Sequence, residues 1–250
     1  MFKYLITYKN NMPAGHGFQH FSIFHLTWLL VLACLIYVLV TFYQRSDQHR
    51  RQTIRRTIAA IIVSLELMRD TILVASHQFT MGEFPFHLCG IGIFIIAWDA
   101  IRPNHPAREI LYSLNIWGAF AALLFPDWTM FPLFNVFLMQ SFIIHSLLIT
   151  YPMMLLVSGE FRPNWRKLWQ PMIYLVIVIP LVLWLNNIWG TNFWFLNVAA
   201  AGSPLTPIQN FAGKWYLPTL IICLGILWFF LYAPWALTDR KATKVEPVNS

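Results

Sequence analysis

Charged side chains are scarce in this chain: Asp, Glu, Lys and Arg make up 11% of its 250 residues, against about 25% in average soluble domains. So few charges cannot cover a water-facing surface, which excludes a soluble globular protein. Cysteine is scarcer still. Cys34, Cys89 and Cys223 form no CxxC and no paired spacing, so neither a disulfide framework nor a zinc site is suggested. The first 22 residues hold Lys3, Lys9, His16 and His20 and no long apolar core ahead of a cleavage site, so no signal peptide is expected. No basic run is interleaved with aromatics, so the net charge of +7 does not point to nucleic acid. The last apolar segment lacks a lysine in its interior, Lys214 lying just ahead of it, which argues against a retinal Schiff base. The inverted repeats common in transporters are also missing.

What the chain has instead is apolar length: 58% of its residues are hydrophobic. Seven apolar segments are read, at approximately residues 23–43, 57–76, 85–101, 109–125, 131–157, 168–188 and 215–237. Each approaches or exceeds the length that crosses about 30 Å of hydrocarbon. The expected fold is all-α, a single domain of seven transmembrane helices in the cell membrane. Pro85, Pro132 and Pro171 suit helix starts, and Pro152, Pro180 and Pro218 are expected inside helices as kinks. Loops alternate sharply in Lys and Arg. Thirteen lie on one side, in the first, third and fifth loops and the tail, and three on the other, with Arg69 inside a helix. By the positive-inside rule the amino terminus is outside and the carboxyl terminus cytoplasmic.

Ionisable groups at membrane depth are costly and mark pairing or function. In the second segment Glu66, Arg69 and Asp70 share one helical face, with His77 expected to continue it. They form either a self-neutralising cluster or an anion site in which the Arg69 fork meets a lipid phosphate. The third segment opens on Phe84-Pro85-Phe86-His87-Leu88-Cys89-Gly90, which puts a thiol and an imidazole at the head of an apolar helix. Residues two apart on a helix do not face each other. If the helix already includes His87, Cys89 needs a base from elsewhere. His145 in the fifth segment, with Ser141 one turn before it, is the best placed, and His25 is the alternative. A thiol with such a partner supports acyl transfer. In a membrane the natural acyl donor is a phospholipid. Asn192, in the aromatic loop from Trp189 to Leu196, is a candidate donor to the oxyanion. That loop is either a plain interfacial loop or a lid. Asp99 reads as a structural charge near the cytoplasmic interface.

Taken in order and spacing, several marks carry a resemblance over nearly the whole chain: Glu66-x-x-Arg69, Pro85-Phe86-His87-Leu88-Cys89, His145, Arg162-Pro163, and Gly190-Thr191-Asn192-Phe193. The chain resembles the YwaF-like family of bacterial integral membrane proteins, itself similar to the transmembrane protein 164 family of Cys-dependent phospholipid acyltransferases. Phe193 stands where the family pattern often has Tyr. The resemblance implies Cys89 as acyl-accepting nucleophile and His145 as its base, with membrane phospholipids as partners and no cofactor or metal. Substrate contacts are expected from Glu66, Arg69, Asp70, His87, Ser141, Asn192 and His25. The rival expectation is a transporter or small-molecule binder using the Glu66, Arg69 and Asp70 face.

Overall fold

A computed structural model describes residues 3–244, and helices are the only regular secondary structure among them. The elements are α1 (Ile23–Arg45), α2 (Gln48–Ala75), α3 (Leu88–Ile101), α4 (His105–Ile110), α5 (Ile116–Leu124), α6 (Val136–Val157), α7 (Trp169–Trp189), α8 (Leu205–Ala212) and α9 (Tyr216–Lys244). Every apolar segment read from the sequence carries one of these helices. The fourth carries two, because α4 and α5 are one rod joined by a π-helical turn at Leu111–Asn115. One short helix, α8, was not expected. Pro152 and Pro180 lie inside helices as expected, but Pro218 is the third residue of α9, and the interior proline there is Pro234.

Four helical stretches among the described residues are long and apolar enough to cross a membrane: Ile23–Arg45, Val136–Val157, Trp165–Trp189 and Leu205–Thr238. The burial of their apolar windows ranks them. In Val136–Val157 it is 61%, against 17% for Ile23–Arg45 and 6% for Leu205–Thr238. Helix α6 is therefore the central post, and α1, α7 and α9 turn most of their apolar surface outward. Helix α2 is long but carries charges along its length, and α3 has 14 residues, about 21 Å of rise.

Side-chain caps set the helix starts. Asp47 accepts from the Arg50 N–H at 2.9 Å, and Asn104 accepts from the Ala107 N–H at 2.9 Å. Asn135 does more. Its Oδ1 accepts from the Phe137 and Leu138 N–H groups, and its Nδ2 donates to the carbonyls of Tyr4 and Thr7. One amide thus caps α6 and ties the amino-terminal segment across its head. At the far end of α7, Gly190 takes φ 64°, the left-handed turn that only glycine enters without cost.

Buried charges lock one end of the bundle. Asp99, fully buried at the end of α3, accepts from Arg108 Nε at 3.0 Å, Tyr151 Oη at 2.9 Å and the Asn104 N–H at 3.0 Å. Glu160 takes Arg55, Arg51 and the Tyr43 hydroxyl. Glu109 accepts from Tyr232 Oη at 2.6 Å and joins α4 to α9. Asp99 is thus a structural charge. Midway along α3, Gly92 lies so close to the Asn115 amide that a Cβ there would overlap it.

Asp99→Ala removes the buried acceptor of Arg108, Tyr151 and the Asn104 N–H and is expected to cost about 3–5 kcal/mol, read as a lower thermal unfolding midpoint in detergent. Gly92→Ala is expected to cost about 1–3 kcal/mol by overpacking. Midpoints equal to wild type would contradict both assignments.

Candidate active site

At the opposite end of α3 from Asp99 lies a cavity of about 420 Å³, within the range of roughly 300–1,000 Å³ usual for small-molecule sites. Six residues singled out from the sequence line it: Glu66, Arg69, His87, Cys89, Ser141 and His145. They come from α2, the head of α3, and α6.

His145 is oriented by its own helix. Its Nδ1 lies 2.7 Å from the Ser141 carbonyl oxygen. A carbonyl can only accept, so Nδ1 carries the proton and Nε2 of the neutral ring is a bare acceptor. The ring is held flat against Trp128, 4.8 Å between centroids. Ser141 contributes through its backbone carbonyl, while its hydroxyl turns to Gln140 Oε1 at 3.4 Å.

His87 corrects the expectation from helical spacing. Helix α3 begins at Leu88, and His87 is its N-cap, with extended backbone at φ −63° and ψ 153°. The rule that separates i from i+2 therefore does not act on this pair, and both His87 and Cys89 line the cavity. His77 also departs from expectation. It lies past the end of α2, at φ 54°, and does not continue the Glu66 face.

The α2 charges form a closed cluster. Arg69 Nη2 meets Glu66 Oε1 at 3.0 Å and Asp70 Oδ1 at 2.8 Å, and donates to the Glu83 carbonyl at 2.7 Å. Gln140 Nε2 reaches Glu66 Oε2 at 3.1 Å from α6. Asp70 stands behind Arg69, away from the cavity wall. The wall's carboxylates are Glu66, Glu83 and Asp127, against the cations Arg69 and Lys9. A phosphate approaching Arg69 meets two carboxylates already paired with it, which counts against the phosphate fork.

Two other expected contacts lie elsewhere. His25 is fully buried: Nδ1 accepts from the Phe21 N–H at 2.9 Å, and Nε2 donates to the Leu123 carbonyl at 2.8 Å. Both nitrogens are committed to pinning α1 to α5. Asn192 is spent on its own loop. Its Oδ1 accepts from the Asn197 and Val198 N–H groups, and its Nδ2 donates to the Val198 carbonyl. Neither residue lines the cavity.

Residues not foreseen complete the wall. Asp127 and Trp128 come from the turn after α5, and Tyr8 and Lys9 from the amino-terminal segment. Tyr8 Oη donates to Glu83, and burial, then the Glu83 charge, hold its phenol above the ordinary range, so it stays a donor. Lys9 sits 3.8 Å from Asp127. The aromatic loop adds Trp194 and Phe195, so it covers part of the cavity. Both residues have positive φ, 60° and 53°, at a cost of about 1–2 kcal/mol each. Buried Asn186 holds them there: Oδ1 accepts the Phe193 N–H at 2.7 Å, and Nδ2 donates to the Phe193 carbonyl at 3.1 Å. Trp194 Nε1 donates to the Phe86 carbonyl at 2.7 Å and fastens the loop to the head of α3. Among the described residues no group of His, Cys, Asp and Glu is gathered to hold a metal ion.

Four helical stretches long enough to span a bilayer, beside a partly covered cavity lined by Cys89, His87 and His145, define a helical membrane protein with an internal cavity. The chain belongs to the TMEM164 family, which it matches over residues 16–232. No curated protein and no solved structure matches it. The matched span takes in every cavity residue named here except Tyr8 and Lys9.

Asn186→Ala removes the bonds that hold the strained turn. Limited proteolysis in detergent is expected to nick residues 191–204 several-fold faster than in wild type. Equal rates would mean that Asn186 does not hold the cover.

Proposed function

We propose that this protein is a membrane acyltransferase or transacylase. It moves an acyl chain from a phospholipid to a lipid acceptor through a thioester on Cys89. The observation that carries the reading is His145, whose Nδ1–H is committed to the Ser141 carbonyl and whose ring lines the same cavity as the Cys89 thiol. Its bare Nε2 is the acceptor a thiol needs.

In the first half-reaction His145 Nε2 takes the Cys89 proton as sulfur attacks the ester carbonyl. The C–O bond breaks, and the leaving alkoxide takes the proton from His145. In the second, the acceptor hydroxyl gives its proton to His145 and attacks the thioester, and Cys89 is released as a thiol once the proton returns. One ester is exchanged for another, so the cycle needs no energy source and no cofactor. Arg69, backed by Asp70, orders Glu66 and the Glu83 carbonyl at the wall, and the surplus of carboxylates there favours a headgroup that carries a cation.

The same reading includes seven crossings, an outside amino terminus and a site toward the outer leaflet of the cell membrane. It rests on the Lys and Arg asymmetry of the loops. Placing the chain in the YwaF-like bacterial branch rests on the Pro85 to Cys89 and Gly190 to Phe193 marks. The alternative, a transporter or binder centred on Glu66, Arg69 and Asp70, gives Cys89 no necessary role.

Purified protein in vesicles holding a labelled diacyl phospholipid and a lysolipid is expected to transfer label. Cys89→Ala should abolish transfer, and His145→Ala should lower it about 10²–10⁴-fold. A hydroxylamine-labile acyl label should appear on Cys89. Full transfer by both Cys89→Ala and Cys89→Ser would sink the proposal, and ligand transport surviving Cys89→Ala would favour the alternative.

A further inference from the structure

We infer that His87 is the hydrogen-bond donor to the substrate's carbonyl oxygen, and that the backbone of the covering loop makes it one. The inference rests on the acyl-transfer reading and adds a third catalytic residue to Cys89 and His145. His87 Nδ1 accepts the Trp194 N–H at 3.4 Å. A neutral imidazole carries one proton, so with Nδ1 accepting, that proton stands on Nε2. The arrangement is the reverse of His145. Among the described residues nothing hydrogen-bonds the Nε2 atom of either ring. The two side chains that line the cavity with Cys89 therefore offer complementary atoms, an acceptor on His145 and a donor on His87.

The surroundings of His87 are built for orientation. Its ring meets Phe193 edge-on at 5.1 Å and Phe195 at 5.7 Å. The consecutive left-handed residues Trp194 and Phe195 turn the Trp194 N–H toward the ring, and the Trp194 indole bond to the Phe86 carbonyl fixes the loop one residue from His87. Strain of this kind persists where the surrounding structure over-determines it. Here it sets a tautomer. His87 is poorly suited to be the base, because Nε2 already holds its proton, and moving that proton to Nδ1 would set two donors against each other.

The step balances as follows. Cys89 gives its proton to His145 Nε2, and sulfur bonds to the ester carbonyl carbon. The carbonyl π pair moves onto oxygen, which accepts the His87 Nε2–H as a hydrogen bond without taking the proton. The C=O bond then reforms as the ester C–O bond breaks, and the leaving oxygen takes the proton from His145. His87 ends the cycle unchanged. It fills the role expected of Asn192, whose amide is used within its own loop.

Two measurements test the assignment. In ¹⁵N-histidine NMR of the full chain in nanodiscs above neutral pH, His87 is expected to be protonated on Nε2 and His145 on Nδ1, the signals assigned by their loss in His87→Gln and His145→Gln. A His87 proton on Nδ1 would overturn the proposal. In kinetics, His87→Ala is expected to lower acyl transfer about 10²–10³-fold, the loss typical of one oxyanion donor. It should leave alkylation of Cys89 by iodoacetamide within about twofold of wild type, since that reaction develops no oxyanion. His145→Ala should slow both reactions, and His87→Gln, which keeps an N–H donor, should recover part of the transfer. Unimpaired transfer in His87→Ala, or alkylation lost together with transfer, would overturn the assignment. Wild-type protein that transfers no acyl group would instead remove the parent reading, and this one with it.

Discussion

Everything in this bundle depends on one constraint: a polar group inside an apolar helical assembly must find its partner within the protein. The constraint is met differently at the two ends of α3. Around Asp99, Arg108 and Tyr151, and around Glu160 with its two arginines, the groups pair with one another, Arg55 Nε being left over, and form a locked joint. Around His87, Cys89 and His145 the satisfaction is partial: each ring has its Nδ1 bonded, its Nε2 without a hydrogen bond among the described residues, and a place on the cavity wall. One short helix thus carries a rigid end and a cavity-lining end.

The sequence made the helices and the chemistry-bearing residues legible, because both depend on local pattern. Apolar runs reported the long helices, and the rarity of His, Cys and charge at depth drew attention to Glu66, Arg69, His87, Cys89 and His145. Three things were hidden. Hydropathy does not show an N-cap, so the start of α3 at Leu88 and the freeing of His87 from helical spacing could not be read. The apolar run at 109–125 gives no sign of its π turn. Asp127, Tyr8 and Trp194 reach the cavity through loops whose paths are set by distant partners such as Asn135 and Asn186, which look like ordinary polar residues in the sequence.

Asn192 and His25 show the limit of choosing site residues by type alone. An amide in an exposed loop and a histidine near a helix end both had suitable chemistry. The Asn192 amide closes its own turn, and His25 joins two helices. A polar group already holding two partners has little left for a ligand, and those partners are set by the fold, not by residue type. Ser141 makes the opposite point: its contribution comes from the carbonyl that every residue has, not from its hydroxyl.

The amino-terminal strap carries a consequence for divergence within the family. Every cavity residue assigned to bond-making comes from the span matched to the TMEM164 family, whereas Tyr8 and Lys9 come from ahead of it. The strap is tied on several sides: Asn135 and the Val136 N–H bind it to the head of α6, Tyr8 bonds Gln78 and Glu83, and Lys9 pairs with Asp127. The stretch ahead of the matched span is therefore bonded into the cavity wall that the matched span builds. A relative that exchanged its strap would have to change the partners of Gln78, Glu83 and Asp127 with it.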